Sequence, residues 1–189
     1  MKRSPFEKCW AVPGGIIKVS ESTDEAAERI LFEKTGLKNL YLEQLYTFGK
    51  TSRDPFGRVV SVAYFALMSH IDSNLKTTEE YGGVEWFPVD KLPALAYDHK
   101  EILSTAIKRL RSKLAYSNVA YGLLPDTFTL GDLQNVYETI LKKKIDKRNF
   151  RKKIKMLEIV ESAKKIRAGG KNRPAELFCF KKKQLIFTK

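Results

Sequence analysis

Apolar and polar positions change their spacing several times along this chain, and each change marks an element. From Ser22 to Gly36 the residues Ala27, Ile30 and Leu31 recur at helical spacing, and Arg29 and Glu33 stand four apart, close enough to pair. Ser22 followed three residues later by Glu25 is a capping box that starts this helix, and Gly36 ends it. Gly14-Gly15 just ahead reads as a turn with no Cβ to obstruct close backbone approach. Leu40 to Phe48 alternates apolar with polar residues, as a strand does. Pro55 and Gly57 mark a turn region, and Arg58 to Met68 is a nearly continuous β-branched and apolar run expected to be a buried central strand. A further strand is expected at Gly83 to Phe87. A helix follows from about Asp98 to Leu114, its apolar face made by Ile102, Leu103, Ala106, Ile107 and Leu110.

After Ala115 to Val119, where the helical pattern ends, the spacing is helical again. Thr129 is a suitable N-cap, and Leu130, Leu133, Val136, Tyr137, Ile140 and Leu141 share one face. Lys142-Lys143-Lys144 reads as a short polar turn, and Asp146 caps a second helix in which Phe150, Ile154 and Leu157 face inward. Lys147, Arg148, Arg151, Lys152 and Lys155 are left outside. Two apolar-faced helices joined by a short turn, the second with a cationic outer face, are what a helix-turn-helix requires. Leu157 to Val160 and Ala175 to Phe180 are strand-like, and the basic, glycine-containing stretch between them, with Lys164, Lys165, Arg167, Gly169, Gly170, Lys171 and Arg173, reads as a wing whose cations reach phosphates.

Charge sharpens the division. The 189 residues carry a net +13. Residues 1 to 114 hold 17 Lys/Arg against 15 Asp/Glu, whereas residues 115 to 189 hold 18 against 7. A nearly neutral front and a strongly basic back imply two domains, 1–114 and 120–189 joined by a linker at 115–119, the second facing a polyanion. The plainer alternative is a solvated basic surface. Cys9 and Cys179 stand in no metal-ligand spacing, no apolar run reaches membrane-spanning length and no signal peptide opens the chain, so a reduced, cytoplasmic protein with no membrane partner is expected.

The stretch Trp10 to Leu37 resembles the Nudix box: Gly, five residues, Glu, seven residues, then Arg-Glu-aliphatic-x-Glu-Glu-x-Gly-aliphatic. Gly15, Glu21, Arg29, Leu31, Glu33, Gly36 and Leu37 fall in register. The departures fall on the chemistry. Hydrolysing members hold Mg²⁺ with three helix carboxylates, and this chain has Ile30, Glu33 and Lys34 there. Mg²⁺ demands hard oxygen ligands, so one carboxylate beside an ammonium is a poor site. The resemblance therefore implies a Nudix fold without its reaction, no metal and no cofactor. Arg53-Asp54-Pro55 and Val59 to Tyr64 look like the corresponding segment of ADP-ribose-type Nudix proteins and their regulatory relatives. In Nudix proteins Lys2-Arg3 would close a core strand; either the natural start is missing from this sequence or another segment fills the gap.

The segment from Phe128 to Ile154, and Asp146 to Lys153 most of all, resembles the winged-helix domain of the Nudix-related transcriptional regulators of bacteria. Together the two resemblances imply an α+β chain: a Nudix-like α/β/α sandwich followed by a winged helix-turn-helix. They imply a regulator that binds double-stranded operator DNA as a homodimer and senses a small-molecule effector, either an ADP-ribose-like nucleotide or a sugar such as arabinose. Lys147, Arg148, Asn149, Arg151, Lys152, Lys155, Lys171 and Arg173 are the expected DNA contacts, with Arg148 and Asn149 suited to base edges. Gly14, Gly15, Arg29, Glu33, Lys34, Arg53, Asp54 and His99 are the expected effector contacts. Each has a structural alternative: Arg29 with Glu33 as a helix pair, Lys34 as a solvated charge, His99 as a capped surface residue. The rival function is a Nudix hydrolase of a nucleoside-diphosphate sugar with a basic C-terminal domain.

Overall fold

The computed structural model describes residues 6–69, 75–76, 83–167 and 174–182. The chain divides into two compact units, Met1–Leu67 with Ser73–Ala106, and Met68–Asp72 with Ile107–Lys189. The expected strand end at Lys2-Arg3 and the wing residues Gly169, Gly170, Lys171 and Arg173 lie outside the described residues.

In the first unit, α1 (Thr23–Thr35) begins at the Ser22/Glu25 capping box and ends at Gly36 in the left-handed region. β1 (Tyr41–Phe48) and β2 (Ser61–Leu67) form an antiparallel pair with an irregularity between Gln44 and Tyr46. That irregularity has a packing consequence. Leu45 and Phe48, three residues apart, would point to opposite faces of a regular strand, yet both are buried. Two expectations change here. Val59 and Val60 precede β2 and are exposed, so the strand begins later than its apolar run predicted; among the described residues β2 pairs with β1, and its own residues are buried or half-buried. Gly83–Phe87 forms no strand, because no described segment offers it a ladder. Instead Trp10 bridges Leu95 and packs edge-on against Phe87.

α2 (His99–Tyr116) begins among first-unit residues and ends among second-unit residues. The expected linker at 115–119 is not a free connection. It comprises the end of α2 and the entry to a 3₁₀ turn (Val119–Leu123), with Ser117, Asn118 and Val119 fully buried. Ser117 Oγ donates to Lys113 O and Asn118 Nδ2 donates to Lys182 O, so the polar groups of this stretch are bonded inside the second unit.

The second unit continues with α3 (Leu130–Leu141) and α4 (Lys147–Leu157), capped by Thr129 and Asp146 as expected. Phe128, Leu133, Tyr137, Phe150, Ile154 and Ile159 form its core. β3 (Val160–Arg167) pairs antiparallel with β4 (Ala175–Phe180), and Phe128 adds a bridge to Phe178. The expected strand at Leu157–Val160 is shifted, since Leu157 ends α4 and Glu158 caps it in a left-handed conformation. Lys164, Lys165 and Arg167, expected in the loop, lie in β3. The ladder to β4 breaks at a bulge where Lys164 takes φ 53° and resumes at Lys165.

Candidate functional site

The loop before α1 is built around Arg29. Its guanidinium donates to Glu21 through Nε at 2.8 Å and also through Nη2, to Glu33 at 3.0 Å and to the Ile16 carbonyl at 3.0 Å. The Arg29 bonds come first, and the Lys18 backbone N–H second, in holding the Glu21 carboxyl down to about 2. Gly14 and Gly15 do not form the expected turn. Their backbone is outside any turn, and Gly15 is needed for close approach: a Cβ there would lie 3.0 Å from the Ile30 side chain. Ile30 therefore packs against the loop at a position where the Nudix pattern has a carboxylate. With Ile30 apolar and Glu33 bonded to Arg29, the residues present do not fit a Mg²⁺ site, and no cluster of three metal ligands occurs among the described residues. The loop nevertheless exposes Ile16, Ile17 and Val19.

A second cluster joins residues far apart in sequence. Arg53 is buried and makes a bidentate pair with Asp98, Nε to Oδ2 at 2.9 Å and Nη2 to Oδ1 at 2.8 Å. Its neighbour Asp54 accepts the Phe56 N–H, which shapes the turn. Tyr97, at φ 54°, holds a conformation uncommon for a bulky side chain and turns the chain into Asp98 and His99. His99 Nδ1 accepts the Val12 N–H at 3.2 Å, which leaves the proton on Nε2. Burial pushes the His99 pKa down; Asp98 opposes this shift and Arg53 reinforces it.

The eight expected effector residues thus fall into two groups joined by the Val12–Gly15 segment. Arg29 with Glu33 lies at one end, and Arg53 and His99 lie at the other. Both arginine forks are already committed to carboxylates. A separate cleft of about 310 Å³ lies between α1 and the β1–β2 pair, lined by Asp24, Glu28, Leu42, Gln44 and Tyr64. None of the eight lines it.

In the second unit α4 is two-faced. Phe150 and Ile154 are buried, while Lys147, Arg148, Asn149, Arg151, Lys152 and Lys155 are exposed. Among the described residues none of these five cations pairs with a carboxylate. Lys153 differs, lying 5.8 Å from the centre of the Tyr137 ring. In front of α4, Glu138 of α3 accepts from Ile145 N at 3.0 Å, Lys144 Nζ at 2.7 Å and Gln134 Nε2 at 3.0 Å, and Gln134 also donates to Ile145 O at 2.8 Å. The Lys144 bond, then the Ile145 N–H and Gln134, hold Glu138 down to about 2. Sequence reading passed over this pair, although its four-residue spacing on α3 was visible. The Arg111 guanidinium of α2 donates to Ile140 O in the last turn of α3 at 2.8 Å. Arg167 of β3 pairs with Asp132 of α3 at 3.0 Å.

Comparison with known proteins adds to this geometry. Residues 1–108 match the NUDIX domain family, and residues 120–180 match the NrtR DNA-binding winged helix domain. An ADPR responsive transcriptional repressor NtrR of Acinetobacter baylyi is 36% identical over 180 residues, 93% of this chain and 71% of that protein. An ADP-ribose pyrophosphatase of Methanocaldococcus jannaschii is 34% identical over 102 residues, 54% of this chain and 59% of that enzyme. The crystal structure of Shewanella oneidensis NrtR complexed with a 27mer DNA is similar, with a TM-score of 0.81 at 35% identity, covering 95% of this chain and 83% of that one.

Proposed function

Because the chain belongs to the Nudix-related transcriptional regulators, with a NUDIX domain followed by an NrtR-type winged helix, we propose that it is a repressor released from operator DNA by ADP-ribose or a nucleotide of that class. The exposed cationic face of α4 over a buried Phe150–Ile154 seam is the observation that carries the DNA-binding part. In this reading α4 enters the major groove, Arg148 and Asn149 meet base edges, and Lys147, Arg151, Lys152 and Lys155 meet phosphates. A homodimer places two such helices on paired half-sites.

The effector part is supported by the responsiveness that the Acinetobacter relative's name states, and by the substrate in the name of the Methanocaldococcus enzyme. The effector lies along the Trp10–Ile17 loop. Lys34 supplies a cation, and the backbone at Gly14 and Gly15 is approachable. Arg29 and Arg53, already bonded to carboxylates, hold the walls in place with Glu33, Asp54 and His99. Ile16 and Ile17 offer apolar surface to a base. Movement at the Val12–His99 contact then passes along α2, whose Arg111 is bonded to α3. A ligand that favours the non-binding arrangement about 100-fold, or about 2.7 kcal/mol, releases most operators.

The test is selection from a randomised duplex pool by the full-length protein, followed by release with ADP-ribose or arabinose. A selected sequence released by ADP-ribose supports the reading, and release by the pentose alone replaces the effector. The rival is ADP-ribose hydrolysis, which the 34% likeness to a pyrophosphatase motivates. Turnover with Mg²⁺ or Mn²⁺ at an ordinary enzymatic rate would establish it; Ile30 and Lys34 in the box predict none.

A further inference from the structure

α4 is short, and its cationic face reads DNA only if the turn ahead of it holds the helix at a fixed angle. That turn, Lys142–Asp146, contains no glycine or proline and starts with Lys142 in the left-handed conformation, at φ 55°. No proline fixes a backbone angle in this turn, so its shape depends on the bonds that it makes. Its geometry is imposed from α3. Gln134 and Glu138, one helical turn apart, grip both backbone groups of Ile145: Glu138 accepts its N–H at 3.0 Å and Gln134 donates to its carbonyl at 2.8 Å. The two side chains also bond each other at 3.0 Å, so neither is free to rotate away. Ile145 immediately precedes Asp146, the residue that caps α4. The grip thus acts one residue before the recognition helix begins. The Glu138 side chain is 10% exposed, whereas Lys144, its third partner, is 93% exposed and reaches in from solvent.

We propose that Glu138 and Gln134 are positioning residues for sequence recognition: they set the attitude of α4 by clamping the Ile145 peptide groups, and touch no DNA themselves. The proposal rests on the reading of α4 as the DNA-reading helix. It separates two properties that a cationic helix otherwise combines. Attraction to phosphates depends on charge and survives a loosened turn, whereas base discrimination needs bidentate geometry at named atoms and does not. Loss of the clamp should therefore lower specificity while sparing non-specific affinity. Lys144 meets the Glu138 carboxylate from solvent and, unlike Gln134, holds neither backbone group of Ile145.

The experiment uses the full chain and the sequence that it selects from a randomised duplex pool. Binding is measured to that duplex and to a scrambled one, across a salt series, for Glu138→Ala, Glu138→Gln, Gln134→Ala and Lys144→Ala. Glu138→Ala should lower the specific-to-scrambled affinity ratio about tenfold or more, the scale of a lost bidentate base contact. Its affinity for scrambled DNA should not fall, because the change removes an acid and releases Lys144. Glu138→Gln keeps an acceptor for Ile145 without the charge and should fall between; Gln134→Ala should follow it, and Lys144→Ala should keep the ratio. If Glu138→Ala fails to fold by circular dichroism, the Glu138→Gln and Gln134→Ala ratios decide. Variants that fold and discriminate as the unaltered protein does overturn the proposal, as do variants that lose specific and scrambled binding alike. Failure of the unaltered protein to select any sequence would instead overturn the reading of α4 itself.

Discussion

Two pairs of arginines, one in each unit, are used in opposite ways. In the first, Arg29 satisfies Glu21, Glu33 and a loop carbonyl, and Arg53 is buried against Asp98. In the second, Arg148 and Arg151 stand exposed on α4, and among the described residues neither meets a carboxylate. The difference follows from where the acids are. Residues 1 to 114 carry nearly as many Asp and Glu as Lys and Arg, and the fold brings them together; residues 115 to 189 carry far fewer, and Glu138 and Asp132 are taken by Lys144 and Arg167. Cations paired internally hold a loop in shape. Cations left on a helix face attract a polyanion, and no internal partner must first be displaced.

The strongest way to break this contrast is to remove a cation from each unit. Arg53→Ala leaves the Asp98 carboxylate, only 12% exposed, without its partner, and should cost about 3–5 kcal/mol of stability in denaturant unfolding. Replacing both members with apolar residues of like volume should cost much less. Arg148→Ala should leave the unfolding midpoint unchanged and reduce affinity for the selected duplex by about 1–3 kcal/mol. A large stability loss in Arg148→Ala would mean that its cation is structural after all.

A smaller effect tests the interior beneath α4. Tyr137 is 1% exposed, its hydroxyl has no hydrogen-bond partner among the described residues, and burial pushes its pKa up to about 12. Tyr137→Phe removes an unmet donor and keeps the edge-on contact with Phe150, so stability should rise by about 1 kcal/mol in thermal unfolding. The smallest effect is in acid. Glu21, held to about 2 in the folded chain against an ordinary 4.5, contributes stability that is complete above about 4.5 and is lost as pH falls toward about 2. Glu21→Gln should flatten that part of the pH–stability curve. His99 works at higher pH: burial lowers its pKa, so its contribution disappears as pH falls below the ordinary histidine range, and the Val12 N–H loses its acceptor when Nδ1 is protonated.

The parts legible in the sequence are those fixed by near neighbours. Ser22 with Glu25, Thr129 before α3, and Asp146 before α4 are bonds spanning three residues, and each forms as its spacing requires. The buried positions of α4 follow equally from period. Contacts set by the tertiary fold were not legible. Val12 is 87 residues from His99 and Arg53 is 45 from Asp98, so nothing local distinguishes a pocket arginine from a buried structural one. Lys165 to Arg167 have the composition of a loop, yet the ladder to β4 holds them as strand. Gly14-Gly15 has the composition of a turn, yet Gly15 serves to admit Ile30. Gln134 and Glu138 carry helical pair spacing, but their meaning depends on Ile145, brought to them by the turn.

Reciprocal linkage tests the central claim, that the first unit controls the second through a bound nucleotide. ADP-ribose is titrated into the full-length protein by calorimetry, alone and with the selected duplex at saturation, while duplex affinity is measured with and without ADP-ribose. The two factors should be equal and on the order of 100, because coupling free energy is a property of both ligands together. ADP-ribose affinity unchanged by DNA, for a protein that binds both, would contradict the claim and leave the Nudix unit with no part in release.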